Sequence, residues 1–276
     1  GYNDGNSVQQ TTDGGYIITG WRNFSVYLIK TDGNGIEQWS QTYGNNGGML
    51  DGANGYSVQQ SNDGGYIITG TISFFGNNWG MDVYLIKTNS NGIEQWHRTF
   101  GGVGYEKGSS VQQTNDGGYI ITGYTESFGN GNFQTSTDVY LIKTDSNGIE
   151  QWYRTFGGVD NDEGYSVQQT SDGGYIITGY TESFGNGSAD IYLIKTNSNG
   201  IEQWYQTFGG TSNDRGHSVQ QTTDGGYIIT GEKGFFPNQN AYAYLIKTDG
   251  NGNEQWNQVF DGGYSAIGSS VQQTTD

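Results

Sequence analysis

The chain has 276 residues, no cysteine, and a formal charge of −17 from 28 acidic and 11 basic side chains. That balance excludes nucleic-acid binding, which needs clustered Lys and Arg, and the missing thiols exclude disulfides and thiolate metal sites. A hydrophobic content of 32% with 49 glycines is modest, but 14% aromatic residues suit many short strands joined by turns. No run approaches transmembrane length, so membrane insertion is not expected. The chain opens at Gly1 and stops at Asp276, where every other copy of its repeat continues into GGYIITG, so both ends are expected to be cuts in a longer protein.

One sentence recurs along the chain: SVQQ, DGGYIITG, YLIKT, NG, EQW. The SVQQ serines are Ser7, Ser57, Ser110, Ser166, Ser218 and Ser270, and the EQW tryptophans are Trp39, Trp96, Trp152, Trp204 and Trp256. Each unit holds four strand-like runs, A to D. In the fourth copy they are Tyr165–Thr170, Gly174–Thr181, Asp190–Thr196 and Ile201–Phe208. Asp-Gly-Gly punctuates A and B, and Asn-Gly punctuates C and D.

Register follows from charge. A four-residue loop over Asp145–Gly148 sets Lys143 opposite Glu150 and Leu141 opposite Trp152, with Lys30–Glu37 and Lys247–Glu254 as counterparts. A two-residue loop would oppose Asp145 and Glu150, two like charges. Four antiparallel strands per repeat predict an all-β fold, a β-propeller of four-stranded blades. Blade boundaries fall near 1–51, 52–104, 105–160, 161–212 and 213–264, with a surplus strand in 265–276. A β-helix would not need two tight hairpins per unit, and tandem sandwiches would need more strands.

Taken in chain order, the candidate functional residues fall in the loops. The first B–C loop carries Trp21 and Phe24 with the sequon Asn23-Phe24-Ser25, and the second carries Phe75 and Trp79. The third carries Phe128 and Phe133, the fourth Phe184 and the sequon at Asn186, the fifth Phe236. Aromatic side chains on variable loops suit glycan or protein binding, so Trp21, Phe75, Trp79, Phe133 and Phe236 are the ligand candidates. Phe128 and Phe184 are expected to tuck under their blades. Asn23 and Asn186 are glycosylation candidates. Asp32, Asp145 and Asp249 sit in D-x-N-G turns resembling part of a calcium loop, and Asp162 lies in an acidic D–A loop, Asp160–Glu163. These four admit calcium, although the simpler reading of the turns is a capped hairpin, and no cofactor is required. His97 and His217 are not spaced as a metal pair. Gln9, Gln10 and their copies are expected to satisfy one another and the backbone near the inner strands. Ser270, Val271, Gln272 and Gln273 begin a sixth A strand, a candidate assembly edge.

The phrases DGGYIITGYTESFGNGSADIYLIKTNSNGIEQW and TFGG resemble the propeller-type repeats of secreted and cell-surface proteins of bacteria and archaea. The resemblance implies an extracellular scaffold or binding role and brings no catalytic residues. The expectation is a non-enzymatic extracellular or cell-surface protein that assembles with itself or another surface protein into a layer or filament. The alternative is a glycan- or protein-binding module using the aromatic loops.

Overall fold

The computed structural model describes residues 3–44, 50–74, 80–129, 136–235, 240–263 and 265–274. Among the described residues the chain is all-β, with twenty strands in five four-stranded antiparallel sheets. The first sheet is β1 (Asn3–Gln10), β2 (Tyr16–Arg22), β3 (Ser25–Thr31) and β4 (Glu37–Tyr43). The second is β5 (Leu50–Gln60), β6 (Tyr66–Phe74), β7 (Met81–Thr88) and β8 (Glu94–Phe100). The third is β9 (Glu106–Gln113), β10 (Tyr119–Thr125), β11 (Asp138–Thr144) and β12 (Glu150–Phe156). The fourth is β13 (Asp162–Gln169), β14 (Tyr175–Thr181), β15 (Asp190–Thr196) and β16 (Glu202–Phe208), and the fifth is β17 (Asp214–Gln221), β18 (Tyr227–Phe235), β19 (Asn240–Thr248) and β20 (Glu254–Phe260). Each sheet runs in sequence order from its A strand to its D strand, the blade predicted from the repeat. The chain forms two compact units, Gly1–Phe128 with Ile142–Tyr153 and Gly129–Leu141 with Arg154–Asp276.

Both hairpin turns of a blade follow from glycine. In the fourth sheet the A–B turn closes with Thr170 N–H to Gly174 O and Gly173 N–H to Thr170 O, both 2.9 Å. Gly173 takes φ of 81°, which side-chain-bearing residues adopt only at a cost. Asp172 completes the turn by accepting from Thr170 Oγ1 and Gly174 N. The C–D turn closes through Asn197, whose Oδ1 accepts from the N–H groups of Asn199 and Ile201.

The C–D register differs from the expectation. Lys195 lies opposite Trp204 rather than the glutamate, and a bulge follows so that Thr196 meets Glu202. The same holds for Lys30 with Trp39 and Lys247 with Trp256. The lysines therefore do not pair with the D-strand glutamates. They reach back to the A–B turn: Lys30 to Asp13, Lys87 to Asp63, Lys143 to Asp116, Lys195 to Asp172 and Lys247 to Asp224, at 2.8–2.9 Å. Lys195 Nζ also donates to Thr196 O and Gln203 Oε1. A buried ammonium needs its donors filled, and only the turn aspartate offers it a carboxylate beside those two neutral oxygens.

Neighbouring sheets are stitched by SVQQ. In the first unit, Val58 and Val111 N–H donate to Ser7 and Ser57 Oγ, and Gln60 and Gln113 N–H donate to Gln9 and Gln59 Oε1 at 2.6 Å. In the second unit, Val219 and Gln221 donate in the same way to Ser166 and Gln168. The glutamines do satisfy the backbone. Above this ladder the EQW tryptophan wedges onto the GGY tyrosine of the next sheet: Trp39 on Tyr66, Trp96 on Tyr119, Trp204 on Tyr227, with ring centroids 5.8–5.9 Å apart. Residues 265–274 form no sheet ladder among the described residues, yet they make the same stitches. Val271 N–H donates to Ser218 Oγ and Gln273 N–H to Gln220 Oε1.

The glycine of ITG is required by contact rather than by φ. A Cβ on Gly179 would fall inside the van der Waals radius of Glu163 O, a backbone atom that cannot swing away. A Cβ on Gly173 would meet nothing within 4 Å. Gly179→Ala is expected to cost about 3 kcal/mol by forcing β13 and β14 apart, and Gly173→Ala about 1 kcal/mol from its left-handed backbone alone. Urea unfolding of the two variants checks the order; equal losses would refute the contact argument.

Candidate functional site

In a chain that repeats itself this closely, the positions that differ between copies stand out. One group lies at the loop end of strands A and B. The A-strand position before the first glycine reads Asp4, Asn54, Lys107, Glu163 and Arg215, and the position two residues later reads Asn6, Tyr56, Ser109, Tyr165 and His217. The B-strand position facing the first of these reads Trp21, Thr71, Tyr124, Tyr180 and Glu232. Strand pairing places each trio side by side on one sheet.

In the second unit these residues interlock. Tyr180 Oη donates to Glu163 Oε1 at 3.0 Å, and Arg215 Nη1 to Glu232 Oε1 at 3.1 Å. The Arg215 guanidinium lies 4.9 Å from the centre of the Tyr180 ring. His217 stacks on Tyr165 with centroids 5.5 Å apart and 8° between planes. Burial lowers the His217 pKa, so the ring is neutral near pH 7, and its Nε2 is buried with no hydrogen-bond partner. Burial first, and Glu163 second, raise Tyr165 and Tyr180 above their usual value. Burial pulls Arg215 down, but its bond to Glu232 and the charges of Glu232, Tyr165 and Tyr180 together raise it above its ordinary value. In the first unit the strip contains Lys107 Nζ, 4.3 Å from the centre of the Tyr56 ring. Rings, donors and acceptors alternate here over half-buried positions, an arrangement suited to recognition. Sequence reading passed over this strip because it looked for loops; the divergence of aligned copies was the signal that could have found it.

A second divergent feature lies where neighbouring sheets meet, its acids buried except Asp82, which is half-buried. The acid opening strand A in one sheet meets the acid opening strand C in the preceding sheet, both packed against the first glycine of TFGG. Asp82 and Glu106 do so at Gly101, Asp138 and Asp162 at Gly157, Asp190 and Asp214 at Gly209. Where one acid is missing, so is the other: the remaining copies carry Ser25 with Ala53 and Tyr242 with Ala266. Burial, then repulsion from Glu106, raises the Asp82 pKa to about 6. Burial raises Asp214 to about 6 as well, with Asp190 adding to it and two backbone N–H bonds opposing.

The remaining candidates are placed as follows. Trp21 on β2 meets Phe24 edge-on at 5.8 Å. Phe75, Trp79, Phe133 and Phe236 lie outside the described residues. Phe184 packs on Tyr192 and Tyr205, and Phe128 on Tyr153, as half-buried rings. Asp32, Asp145 and Asp249 each use Oδ1 to accept two N–H groups of their own turn. That is hairpin capping, and among the described residues no group of three or more Asp, Glu or His side chains is placed to hold a metal. Asp162 is fully buried rather than at a loop surface. Asn23 and Asn186 are exposed, Asn23 at φ of 48° in a tight β2–β3 turn. His97 is exposed and bonds Glu94.

The four-stranded sheets define the class of fold, and the comparisons agree. The chain resembles the WD40 domain of Neurospora crassa Pan2 with a TM-score of 0.58 and 9% identity, over 94% of this chain and 66% of that one. It resembles a glucose dehydrogenase with a TM-score of 0.52 and 11% identity, over 92% and 85% of the two chains. At these identities the likeness establishes the propeller fold alone. No family model matches the chain. A curated sequence, the regulatory protein FlaEY of Caulobacter vibrioides, is 27% identical over 173 residues, which is 55% of this chain and 18% of that protein. The chain thus spans about a fifth of the length of the curated relative it matches. Among the described residues no helix is long and apolar enough to cross a membrane.

The shifted carboxylates set a pH profile. Asp82 and Asp214 have folded pKa values above the ordinary 3.8, so their contribution is full below that value and is lost as pH rises through about 6. Asp116 and Asp172 are held near 2 by their lysines and turn bonds, against the pull of burial, so theirs is present above 3.8 and lost as pH falls through about 2. The melting temperature is therefore expected to rise between pH 7.5 and 5 and to fall below pH 3. Asp82→Asn and Asp214→Asn should raise it at pH 7.5 and flatten the rise. Scanning calorimetry across pH checks both; a melting temperature that falls steadily from pH 7.5 to 5 would contradict the pairing.

Proposed function

We propose that this chain is a non-enzymatic extracellular scaffold that works by contact with other macromolecules, copies of itself first among them. The observation that carries the reading is the self-complementary seam. Val58, Val111 and Val219 are each 5% exposed where a neighbouring sheet covers them, whereas Val8, the same residue of the first sheet, is 65% exposed. On the other side of the repeat, Phe100 and Phe208 are buried, while Phe260 is 54% and Trp256 44% exposed. These two faces carry the residue types that pack together inside each unit, so a further copy of the repeat fits head to tail against either, whether it belongs to the same chain or to another copy of it. Val271 and Gln273 of the candidate assembly segment 270–273 already make the seam stitches on the fifth sheet. An acidic surface keeps a large particle soluble, and the resemblance of the repeats to those of secreted and surface proteins supports an extracellular setting. Arg215 is paired with Glu232, and Glu163 is held by the Tyr180 hydroxyl, which favours binding over catalysis.

Self-association predicts a sedimentation coefficient that rises with concentration, filaments or sheets by electron microscopy, and loss of both in Val8→Glu. A concentration-independent monomer would exclude assembly. The strip supports a second reading, a binding module for another surface protein or a glycan. In that case Tyr165→Ala or Arg215→Ala, both away from the open faces, should abolish partner binding while Val8→Glu leaves it intact.

A further inference from the structure

One position of strand D is filled in two different ways. The residue two places after the EQW tryptophan reads Gln41, Arg98, Arg154, Gln206 and Gln258. In β8 the Arg98 guanidinium lies 5.3 Å from the centre of the Trp96 ring. Its Nη2 donates at 2.9 Å to Asn147 O, in the C–D turn of the next sheet. Arg154 makes the same bond one sheet on, from Nη2 to Asn199 O at 3.0 Å.

Gln41 and Gln206 start from the same place as Arg98. The Cγ atoms of Gln41, Arg98 and Gln206 stand 3.0, 3.0 and 2.9 Å from the point a Cβ would take on Gly92, Gly148 and Gly252. Trp39, Trp96 and Trp204 each bring Cζ3 to 2.5–2.6 Å from those same points. Stem, ring and turn therefore correspond. A glutamine side chain, however, is shorter than an arginine and carries no charge. Trp39 with Asn91 O, and Trp204 with Asn251 O, are thus left without the guanidinium that bridges Trp96 and Asn147. At the first of these places a cleft of about 450 Å³ opens on Trp39 and Asn91 and extends to Asp13, Gln38 and Ser90, a volume ordinary for a ligand site. Lys30, which also lines it, is buried and already held by Asp13, Thr31 O and Gln38 Oε1.

We propose that these two places bind arginine side chains of a partner, an extended basic peptide segment. The indole of Trp39 or Trp204 takes the guanidinium on its face, and Asn91 O or Asn251 O accepts one of its N–H groups. The chain itself shows the fit where it supplies its own arginine. Indole is the best ring for a cation, and the planar fork of arginine stacks and donates at once, as the point charge of lysine does not. A net charge of −17 draws a basic partner. The inference goes beyond the scaffold reading. It concerns the turn end of inner seams, and neither the open faces nor the divergent strip enters it.

The test follows the indole N–H signals of the whole chain by NMR during titration with acetyl-Gly-Arg-Gly amide. Saturable shifts are expected at Trp39 and Trp204 and none at Trp96. Citrulline in place of the arginine keeps the shape and removes the charge, and should weaken binding about tenfold. Gln41→Arg should silence Trp39 and spare Trp204, while Arg98→Gln should make Trp96 respond. Each substitution installs a residue that other copies carry at the same position, so an unchanged melting temperature is expected of both. Val8→Glu should alter none of these responses, which separates failure here from failure of assembly. Absence of saturable shifts overturns the proposal, as does citrulline binding as tightly as arginine. So does a Trp39 response that survives Gln41→Arg, or a Trp96 that stays silent in Arg98→Gln. Equal shifts with maltotriose would assign the cleft to a neutral glycan and overturn it too.

Discussion

Everything in this fold depends on how the edge of strand A is satisfied. An inner strand at the edge of a four-stranded sheet carries N–H groups that no further strand in its own sheet can accept. Here the acceptors come from side chains of the adjoining sheet, a serine hydroxyl for the valine N–H and a glutamine carbonyl for the glutamine N–H two residues on. The same glutamine then reaches back, as Gln221 Oε1 does to Ser171 N at 2.8 Å. A sheet is complete only when a neighbour of the same sequence stands beside it. The repeat is thus a bonding requirement as well as a history, and it accounts for the rigid recurrence of SVQQ while nearby positions drift.

Much of this was legible in the sequence. Strand count, strand order and both turns follow from period, β-branched runs and glycine placement, and strand C of the fourth copy has the limits read for it. The C–D register did not follow, because the argument weighed Lys against Glu across one hairpin. In the folded blade the lysine leaves that hairpin and lies 3–9% exposed among a turn aspartate, a backbone carbonyl and a glutamine. A partner from a different turn, 23 residues earlier for Lys195, cannot be weighed before the sheet exists.

The acid pairs illustrate a second limit. Asp138 and Asp162 are separated by a loop, a hairpin and a sheet boundary, and neither lies in a recognisable motif. Only folding sets them against one glycine. Their joint presence or absence across copies was in the sequence throughout, but it acquires meaning once strands C and A of neighbouring sheets are known to meet. Asp162 was read as a calcium candidate in an acidic D–A loop; the structure makes it the first residue of an inner strand, with no exposed surface.

Two kinds of position therefore coexist in each blade, and they divide the labour. Seam residues cannot vary independently, because a changed glutamine or valine must fit two sheets at once. Residues at the loop end of strands A and B meet the neighbouring sheet only through side chains, as His217 meets Tyr165 and Arg215 meets Tyr180, so they can change together without disturbing the backbone stitches. Tyr165, Tyr180, Arg215, His217 and Glu232 show what such freedom allows: stacked rings, an ion pair and a neutral imidazole where other copies carry Asn, Ser or Thr. A scaffold built this way gains specificity without new architecture, since the uniform seams hold the blades and the divergent strip distinguishes one blade from the next.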